Sequence, residues 1–426
     1  VANRFDEQLT TTIAIVGGGP SGASAAYWLA SRGLDVLVLE RKQFPRDKTC
    51  GDGLTPRSVV QLEAMGLGPA LEERFHRYEG LRAIAFGREL EIPWPRHPLL
   101  PNIGYVARRR DLDALVLSTA HDRGAVVLEG HEVIEAEYAN RRISALHVRR
   151  DDGALLRVRA RWFVLAEGSN ARIARSLGST RDTTQPLGLA IRTYLRSTRA
   201  NDAWIESVLD LRDEAGRVMP GYGWIFPMGD GSVNIGFGIL TNQGAWRRVN
   251  TTTELERFIE QVRDRWGLDV EHPLLAKPTG GKLPMGTTIK PVAGANYLLV
   301  GDAAATINPF NGEGISYALE TGRLAATLVA EAARSGNADA LARYPALLGG
   351  RFGPYYALGR RFVALIANPR IMAPGVWLAT RSTVTMAPVV AAMANIMPPA
   401  VVSALQRSGS LAERVRNRIL ARTGTP

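Results

Sequence analysis

Two glycine-rich turns far apart in the chain carry the first chemistry legible in this sequence. Gly17-Gly18-Gly19-Pro20-Ser21-Gly22 closes an apolar run, and an acid, Glu40, ends the next one. In that pattern Gly17 permits a tight turn, Gly19 lets the backbone approach a pyrophosphate, and Gly22 allows a helix to pack closely on a strand. The helix start supplies amides and a favourable dipole for phosphates, and Pro20 suits the first helical turn because its missing N–H costs nothing there. Glu40 has the position to accept a ribose 2′-hydroxyl. Arg41 and Lys42 beside it could suggest a 2′-phosphate, but Glu40 would repel one, so they read as a solvated charge pair. This group alone could hold any dinucleotide. The second turn, Gly301-Asp302-Ala303 leading into Asn308-Pro309-Phe310-Asn311-Gly312-Glu313-Gly314, makes a long flavin cofactor held at both ends the leading idea.

The elements that must position these turns follow from hydrophobic period. Residues 12–16 read as a buried parallel strand, 20–32 as a helix and 34–40 as a second strand, the opening unit of a doubly wound sheet. Residues 126–129 and 157–165 read as further strands, the latter running into Glu167-Gly168-Ser169-Asn170. Arg108-Arg109-Arg110-Asp111-Leu112-Asp113 precedes an amphipathic helical run. Stretches at 187–197, 204–210 and 222–240 suggest an inserted antiparallel sheet. The chain returns at 297–300, and a long helix follows Gly312. Residues 44–56, with four charges, a cysteine and two glycines, make a poor core and read as a functional loop. A helix from about Ser58 to Met65 follows.

Composition narrows the class. A chain of 426 residues can bury a large core and form two lobes, and an apolar fraction of 46% fits a folded soluble or membrane-surface protein. The formal charge of +11 is carried almost wholly by arginine; it attracts polyanions, including anionic lipid headgroups, or reflects an arginine-rich proteome. The basic residues are scattered and no recognised motif accompanies them, so no nucleic-acid partner is expected. One cysteine, Cys50, excludes an intrachain disulfide framework, and six scattered histidines offer no metal site. The polar N-terminal stretch 1–11 leads directly into a strand without a signal-peptide pattern, which makes a cytoplasmic location the expectation.

A more specific pattern lies between the two glycine turns. The spacing Tyr222-x-Trp224-x-Phe226-Pro227, then Gly236-x-Gly238, resembles a signature of the geranylgeranyl reductase family. The glycine turn at 17–22, the loop Phe44-Pro45-Arg46-Asp47-Lys48-Thr49-Cys50-Gly51-Asp52-Gly53 and the 301–314 segment fall in that family's order. Cys50 to Pro56 and Pro220 to Pro227 are similar to the actinobacterial menaquinone β-reductases within it. The resemblance implies a Rossmann-like α/β fold of the para-hydroxybenzoate-hydroxylase-like superfamily with an inserted antiparallel sheet. It implies FAD as cofactor and reduction of one isolated C=C bond in the polyprenyl tail of menaquinone, by hydride from reduced flavin plus a proton. Under the resemblance, Gly17, Gly19, Gly22, Glu40, Arg109, Gly301, Asp302, Gly312 and Gly314 hold the cofactor. Asp302 lies near the ribityl or pyrophosphate region, Asn311 to Gly314 near the isoalloxazine ring, Arg109 toward the adenosine or phosphate side, and Cys50 on the substrate side. Glu167 departs from the aspartate expected there and reads as a local cap.

Tyr222, Trp224 and Phe226 share one face of a strand and could pack along an isoprenoid chain, or form an ordinary aromatic core stripe. Tyr222 reads first as a positioning residue, since a phenol is a weak acid. Cys50, Tyr222 and Trp224 are the candidates for positioning or proton delivery. The expected division is a flavin lobe of residues 1–80, 100–185 and 285–335, a substrate lobe of 81–99 and 186–284, and a helical C-terminal region, 336–426. In the last region, the 25 residues between Arg381 and Arg407 carry no formal charge. Pro388, Pro398 and Pro399 interrupt them, so a buried or membrane-surface helical hairpin is expected over a span, with Arg407, Arg414, Arg416 and Arg418 beyond it. Peripheral contact at the inner face of the cell membrane follows from a lipid substrate. The electron donor stays open. Alternatives are a reductase of geranylgeranyl membrane lipids, an FAD-dependent aromatic monooxygenase, and a non-catalytic flavin-bound membrane protein.

Overall fold

The computed structural model describes residues 5–185, 187–241, 249–366, 369–397, 401, 404 and 407. Its first sheet is organised around strand β1 (Glu7–Val16), whose apolar end, Ile13-Ala14-Ile15-Val16, is covered on both faces, as a central parallel strand requires. β1 pairs in parallel with β2 (Val36–Glu40) on one side and with Leu155–Leu165 on the other. Val126–Glu129 extends the sheet beyond β2, and Tyr297–Leu299 adds in parallel to the far end of Leu155–Leu165. β1 starts five residues before the strand expected at 12–16 because Glu7 to Thr11 pair in register with Leu156 to Ala160. Helix α1 (Pro20–Ala30) stops short of residue 32, where Gly33 turns the chain with φ +71°.

An antiparallel pair, His131–Ala139 and Arg142–Arg150, continues this sheet. Helix α2 (Arg109–Asp122) packs near α1 and buries Leu112, Val116 and Leu117.

The second sheet contains β3 (Leu187–Ser197), β4 (Gly221–Pro227) and β5 (Ser232–Thr241), with β5 between the other two. Trp204–Val208 pairs with β4 and, in parallel, with Gly80–Ala85, which forms a hairpin with Arg88–Pro93. Side chains alternate between its faces. Ile191, Ile225, Ile235 and Phe237 pack under an amphipathic helix, Thr251–Trp266, that buries Leu255, Phe258, Val262 and Trp266. Arg192, Tyr194, Tyr222, Trp224, Phe226 and Asn234 stand on the opposite face, toward the first sheet. Sequence period had suggested neither this helix nor the 131–150 pair.

Helix α3 (Ile315–Ser335) ties the two glycine turns together. Ser24 Oγ donates to the Leu319 carbonyl at 2.8 Å, and a Cβ on Gly322 would lie 2.3 Å from the Ser21 carbonyl oxygen. Beyond it run Tyr344–Ile366, Pro369–Ala379 and Thr383–Met393. Met386 and Val390 of the last helix join Tyr78, Trp94, Val106 and Ile205 in one apolar cluster, with Phe226 at its margin. Among the described residues no helix is long and apolar enough to cross a membrane. Pro398, Pro399, Arg414, Arg416 and Arg418 lie outside the described residues.

Candidate active site

The phosphate end of the site is built from backbone. Gly17 has φ +100°, and a Cβ there would sit 2.5 Å from the Ala166 carbonyl oxygen; on Gly22 it would sit 1.9 Å from that of Gly17. Gly19, by contrast, is uncrowded: a Cβ there would meet only Arg46 Nη2, at an ordinary contact distance of 3.5 Å. It is the N-cap of α1 and offers no side-chain cap, which leaves the first-turn amides for an anion. Glu40, buried at the end of β2, turns back to this loop and accepts from Gly18 N at 2.8 Å and Lys42 N at 2.9 Å. Arg41 and Lys42 are exposed, as a solvated pair is. Arg46, which sequence reasoning missed, stacks on Phe44 at 4.6 Å and reaches Asp113 at 3.2 Å.

Arg109 opens α2 and holds Asp113 through two parallel bonds of 2.7 Å. Burial opposes its charge, but Asp113 overrides that and keeps it firmly protonated. The same guanidinium reaches Cys50, whose thiol burial nonetheless pushes up from its ordinary value. Arg109 thus lies at the junction between the phosphate helix and the cysteine loop. Asp302, in the short 3-10 turn Gly301–Ala304, makes no side-chain hydrogen bond among the described residues. Burial raises its carboxyl, while Lys48 and Arg109 pull it down. Gly301 (φ +60°) donates to Thr321 Oγ1 at 3.0 Å.

The 308–314 turn is held by its own side chains: Asn308 Oδ1 accepts from Phe310 N at 2.9 Å, and Asn311 Oδ1 from Glu313 N at 3.0 Å. Gly312 has φ +72°, and Gly314 is the N-cap of α3, again without a side-chain cap. Two uncapped helix starts, an uncrowded Gly19 and an Asp302 carboxyl free of hydrogen bonds among the described residues fit a cofactor with a pyrophosphate at one end and a ring at the other. Glu167 accepts from Ile173 N at 2.8 Å and Ala174 N at 2.9 Å and so caps the helix Arg172–Ser176.

At the ring end, the cysteine loop lies directly on the aromatic row. Tyr222 and Trp224 have ring centroids 6.1 Å apart, and Trp224 and Phe226 6.4 Å. A Cβ on Gly51 would be 3.2 Å from the Phe226 ring and one on Gly53 3.0 Å, so a side chain at either position would press on that ring. Tyr222 Oη donates to the Asn311 carbonyl at 2.5 Å, joining the row to the 308–314 turn. Burial, with Glu313 and Cys50 nearby, raises its phenol further above the ordinary value.

A buried polar network beneath the loop was not foreseen. Asp52, fully buried and at φ +67°, accepts from Tyr194 Oη at 2.5 Å, Asn234 Nδ2 at 2.8 Å and Arg109 N at 3.2 Å. Asn234 also donates to the Cys50 carbonyl at 2.8 Å and accepts from Trp224 Nε1 at 2.9 Å. Burial pushes the Asp52 carboxyl up against the pull of Tyr194 and Asn234. The available signal was Arg192 and Tyr194 alternating along a strand that otherwise buries apolar residues.

These features define an FAD-dependent oxidoreductase of the para-hydroxybenzoate-hydroxylase-like architecture. The chain belongs to the FAD binding domain family, whose sequence model matches residues 10–346, and FAD is its cofactor. More particularly, it is 39% identical over 389 residues to the menaquinone reductase of Mycolicibacterium smegmatis, covering 90% of this chain and 91% of that protein. It is 30% identical over 343 residues to digeranylgeranylglycerophospholipid reductase 2 of Methanopyrus kandleri, covering 78% and 80%. The fold matches that of a geranylgeranyl bacteriochlorophyll reductase-like protein from Thermoplasma acidophilum with a TM-score of 0.77 and 21% identity, over 94% of this chain and 99% of that one.

Proposed function

We propose that this protein saturates one isolated C=C bond in the polyprenyl tail of menaquinone. The observation that carries the reading is the cysteine loop seated on the aromatic row Tyr222, Trp224 and Phe226, in a chain similar to a menaquinone reductase over nearly its whole length. Gly17, Gly19, Gly22 and Glu40 hold the adenosine and pyrophosphate part of FAD, with Asp302, Gly301, Gly312 and Gly314 toward its ring. FAD, reduced by an external two-electron donor, supplies the hydride for alkene reduction.

The chain's own residues then do three things. The aromatic row continues past Phe226 into an apolar cluster with Tyr78, Trp94, Met386 and Val390, side chains against which a prenyl tail would pack. Tyr222 holds the 308–314 turn in place, since its hydroxyl proton is committed to the Asn311 carbonyl. Cys50, kept as a neutral thiol by burial, carries a proton at Sγ beside the aromatic row. Residues 1–80, 100–185 and 285–335 serve as the flavin lobe, 81–99 and 186–284 as the substrate lobe. The helices after residue 336 give a lipid-soluble substrate access from the inner face of the cell membrane through peripheral contact.

The test is anaerobic incubation of dithionite-reduced, FAD-loaded protein with menaquinone, geranylgeranyl lipids and no-substrate controls. The expected product is menaquinone heavier by two hydrogens, with fragmentation placing them in the tail. Saturation of the geranylgeranyl lipids alone would move the assignment to membrane-lipid reduction, and no mass increase in any candidate would sink it.

A further inference from the structure

The buried arginines of this protein divide unequally. Arg82 holds Asp202 and Glu91, and Arg109 holds Asp113. Arg192, only 2% exposed, has no such partner. Among the described residues no carboxylate forms an ion pair with it, and its Nε and Nη1 make no hydrogen bond. Its one side-chain hydrogen bond among the described residues is a 3.4 Å bond from Nη2 to the Lys48 carbonyl. A buried cation with one long hydrogen bond and no direct ion pair is costly for a fold to carry. Asp52 feels its charge but forms no ion pair with it, its oxygens being taken by Tyr194, Asn234 and the Arg109 amide.

The guanidinium is nevertheless held in place. It lies over the Tyr194 ring at 4.3 Å, with Arg108 also over that ring at 4.6 Å. Its backbone is paired with Gly236 of β5, which is paired in turn with Trp224 of β4. A Cβ on Gly236 would lie 2.5 Å from the Trp224 ring and 2.8 Å from Arg192 Cβ. The side chain therefore sits on the aromatic floor and reaches under the cysteine loop, in the seam between the two sheets.

We propose that Arg192 is a ligand-anchoring residue that donates hydrogen bonds to a conjugated ring carbonyl oxygen entering this seam. A planar fork of N–H groups, pre-oriented by stacking, suits such an oxygen. The carbonyl belongs either to the pyrimidine ring of the flavin or to the quinone head of the substrate; the second source rests on the function proposed above.

Arg192→Met and Arg192→Lys separate the two sources. FAD affinity by fluorescence titration and the reduction equilibrium against an indicator dye read the flavin without turnover. Equilibrium binding of a short-tailed menaquinone and of a prenol of equal tail length, which lacks the quinone, reads the substrate. A flavin carbonyl predicts at least a tenfold shift in FAD affinity or dye equilibrium in Arg192→Met, with both lipids affected alike. A quinone carbonyl predicts at least tenfold weaker menaquinone binding with prenol and FAD unchanged. Arg192→Lys, which keeps charge but loses the fork, falls between wild type and Met in either case. Values within twofold of wild type in every assay would overturn the proposal. Because none of these assays needs turnover, that result is distinct from failure of wild type to reduce menaquinone. Apo Arg192→Met is expected to melt no lower than wild type, since it removes a buried guanidinium that makes one long hydrogen bond and no direct ion pair; a lower melting temperature would assign Arg192 to the fold and also overturn the proposal.

Discussion

The two ends of the site are built on opposite plans. At the phosphate end, one short stretch between β1 and α1 presents backbone amides, and its geometry depends on where side chains are absent. At the ring end, side chains from five distant stretches converge: Cys50 and Asp52 from the loop, Arg109 from α2, Arg192 and Tyr194 from β3, Trp224 from β4 and Asn234 from β5. A phosphate needs only donors and a dipole, which any helix start supplies. Distinguishing one lipid from another needs shaped apolar surface and placed polar groups. The contrast predicts that damage at the first end abolishes cofactor binding, while damage to the Asp52 network or to Tyr222 at the second spares the cofactor and changes the reaction.

The largest effect is expected for Gly22→Ala. Its methyl would lie 1.9 Å from the Gly17 carbonyl oxygen, a backbone clash that only displacement of α1 can relieve. Overpacking of this kind costs about 1–3 kcal/mol, and here it falls directly on the phosphate-binding amides. FAD affinity measured by titration should drop by roughly 5- to 150-fold. Wild-type affinity would show that the tight turn is not what shapes the phosphate site.

Asp52→Asn probes the other end. The amide cannot accept from all three donors that Asp52 satisfies, so the loop loosens at a cost of about 1–3 kcal/mol while Asn still tolerates the left-handed backbone. Turnover should fall more than tenfold, with FAD affinity within about threefold of wild type, consistent with such a loss at one end. The variant also carries a pH signature. Burial raises the Asp52 carboxyl in the folded state, so its contribution is fully present below the unfolded value of about 4 and is lost as pH rises through the folded value. Asn does not titrate. The melting temperature of Asp52→Asn relative to wild type should therefore improve as pH rises from about 4; a pH-independent gap would show that Asp52 has an ordinary carboxyl.

What the sequence made legible follows the same division. The strand–helix–strand opening, Glu40 and the 301–314 turns could be read because their geometry is local: a period, a glycine and a cap lie within a few residues of one another. The pairing of Tyr222, Trp224 and Phe226 was legible for the same reason, from a spacing of two. The Asp52–Tyr194–Asn234 network was not, because its members are separated by 142 and 182 residues and meet only when β3 and β5 pair. The helix Thr251–Trp266 did carry a local signal, an Asn250 cap and apolar residues at 255, 258, 262 and 266, which the strand reading of its neighbours obscured. In the pair at 131–150, frequent charges on a half-buried edge masked the alternation.

A smaller effect is expected for Tyr222→Phe, which removes only the hydroxyl joining β4 to the Asn311 carbonyl. One neutral hydrogen bond is worth about 0.5–1.5 kcal/mol, so alkene turnover should fall by up to roughly tenfold, with FAD affinity nearly unchanged. Turnover equal to wild type would remove Tyr222 from the positioning account; loss of FAD would show that the two ends are mechanically coupled through the 308–314 turn.

The smallest effect should come from the edge of the first sheet, remote in topology from the second. Arg157 and His147 hold the Glu137 carboxyl down to about 2, through bonds of 2.6 Å from Arg157 Nε and 2.9 Å with His147 Nε2. The sign is the reverse of that at Asp52. A depressed carboxyl stabilises the fold above its unfolded value of about 4.3, and that contribution is lost as pH falls through the folded value. Glu137 is partly solvated, so screening limits the loss in Glu137→Gln at neutral pH to at most about 1 kcal/mol. Thermal melts should show that gap closing as pH is lowered from about 4.3 toward 2, and FAD affinity and turnover should both match wild type. A change in either would mean that the antiparallel edge communicates with the site, and the contrast between a backbone-built phosphate end and a side-chain-built ring end would then need a third region.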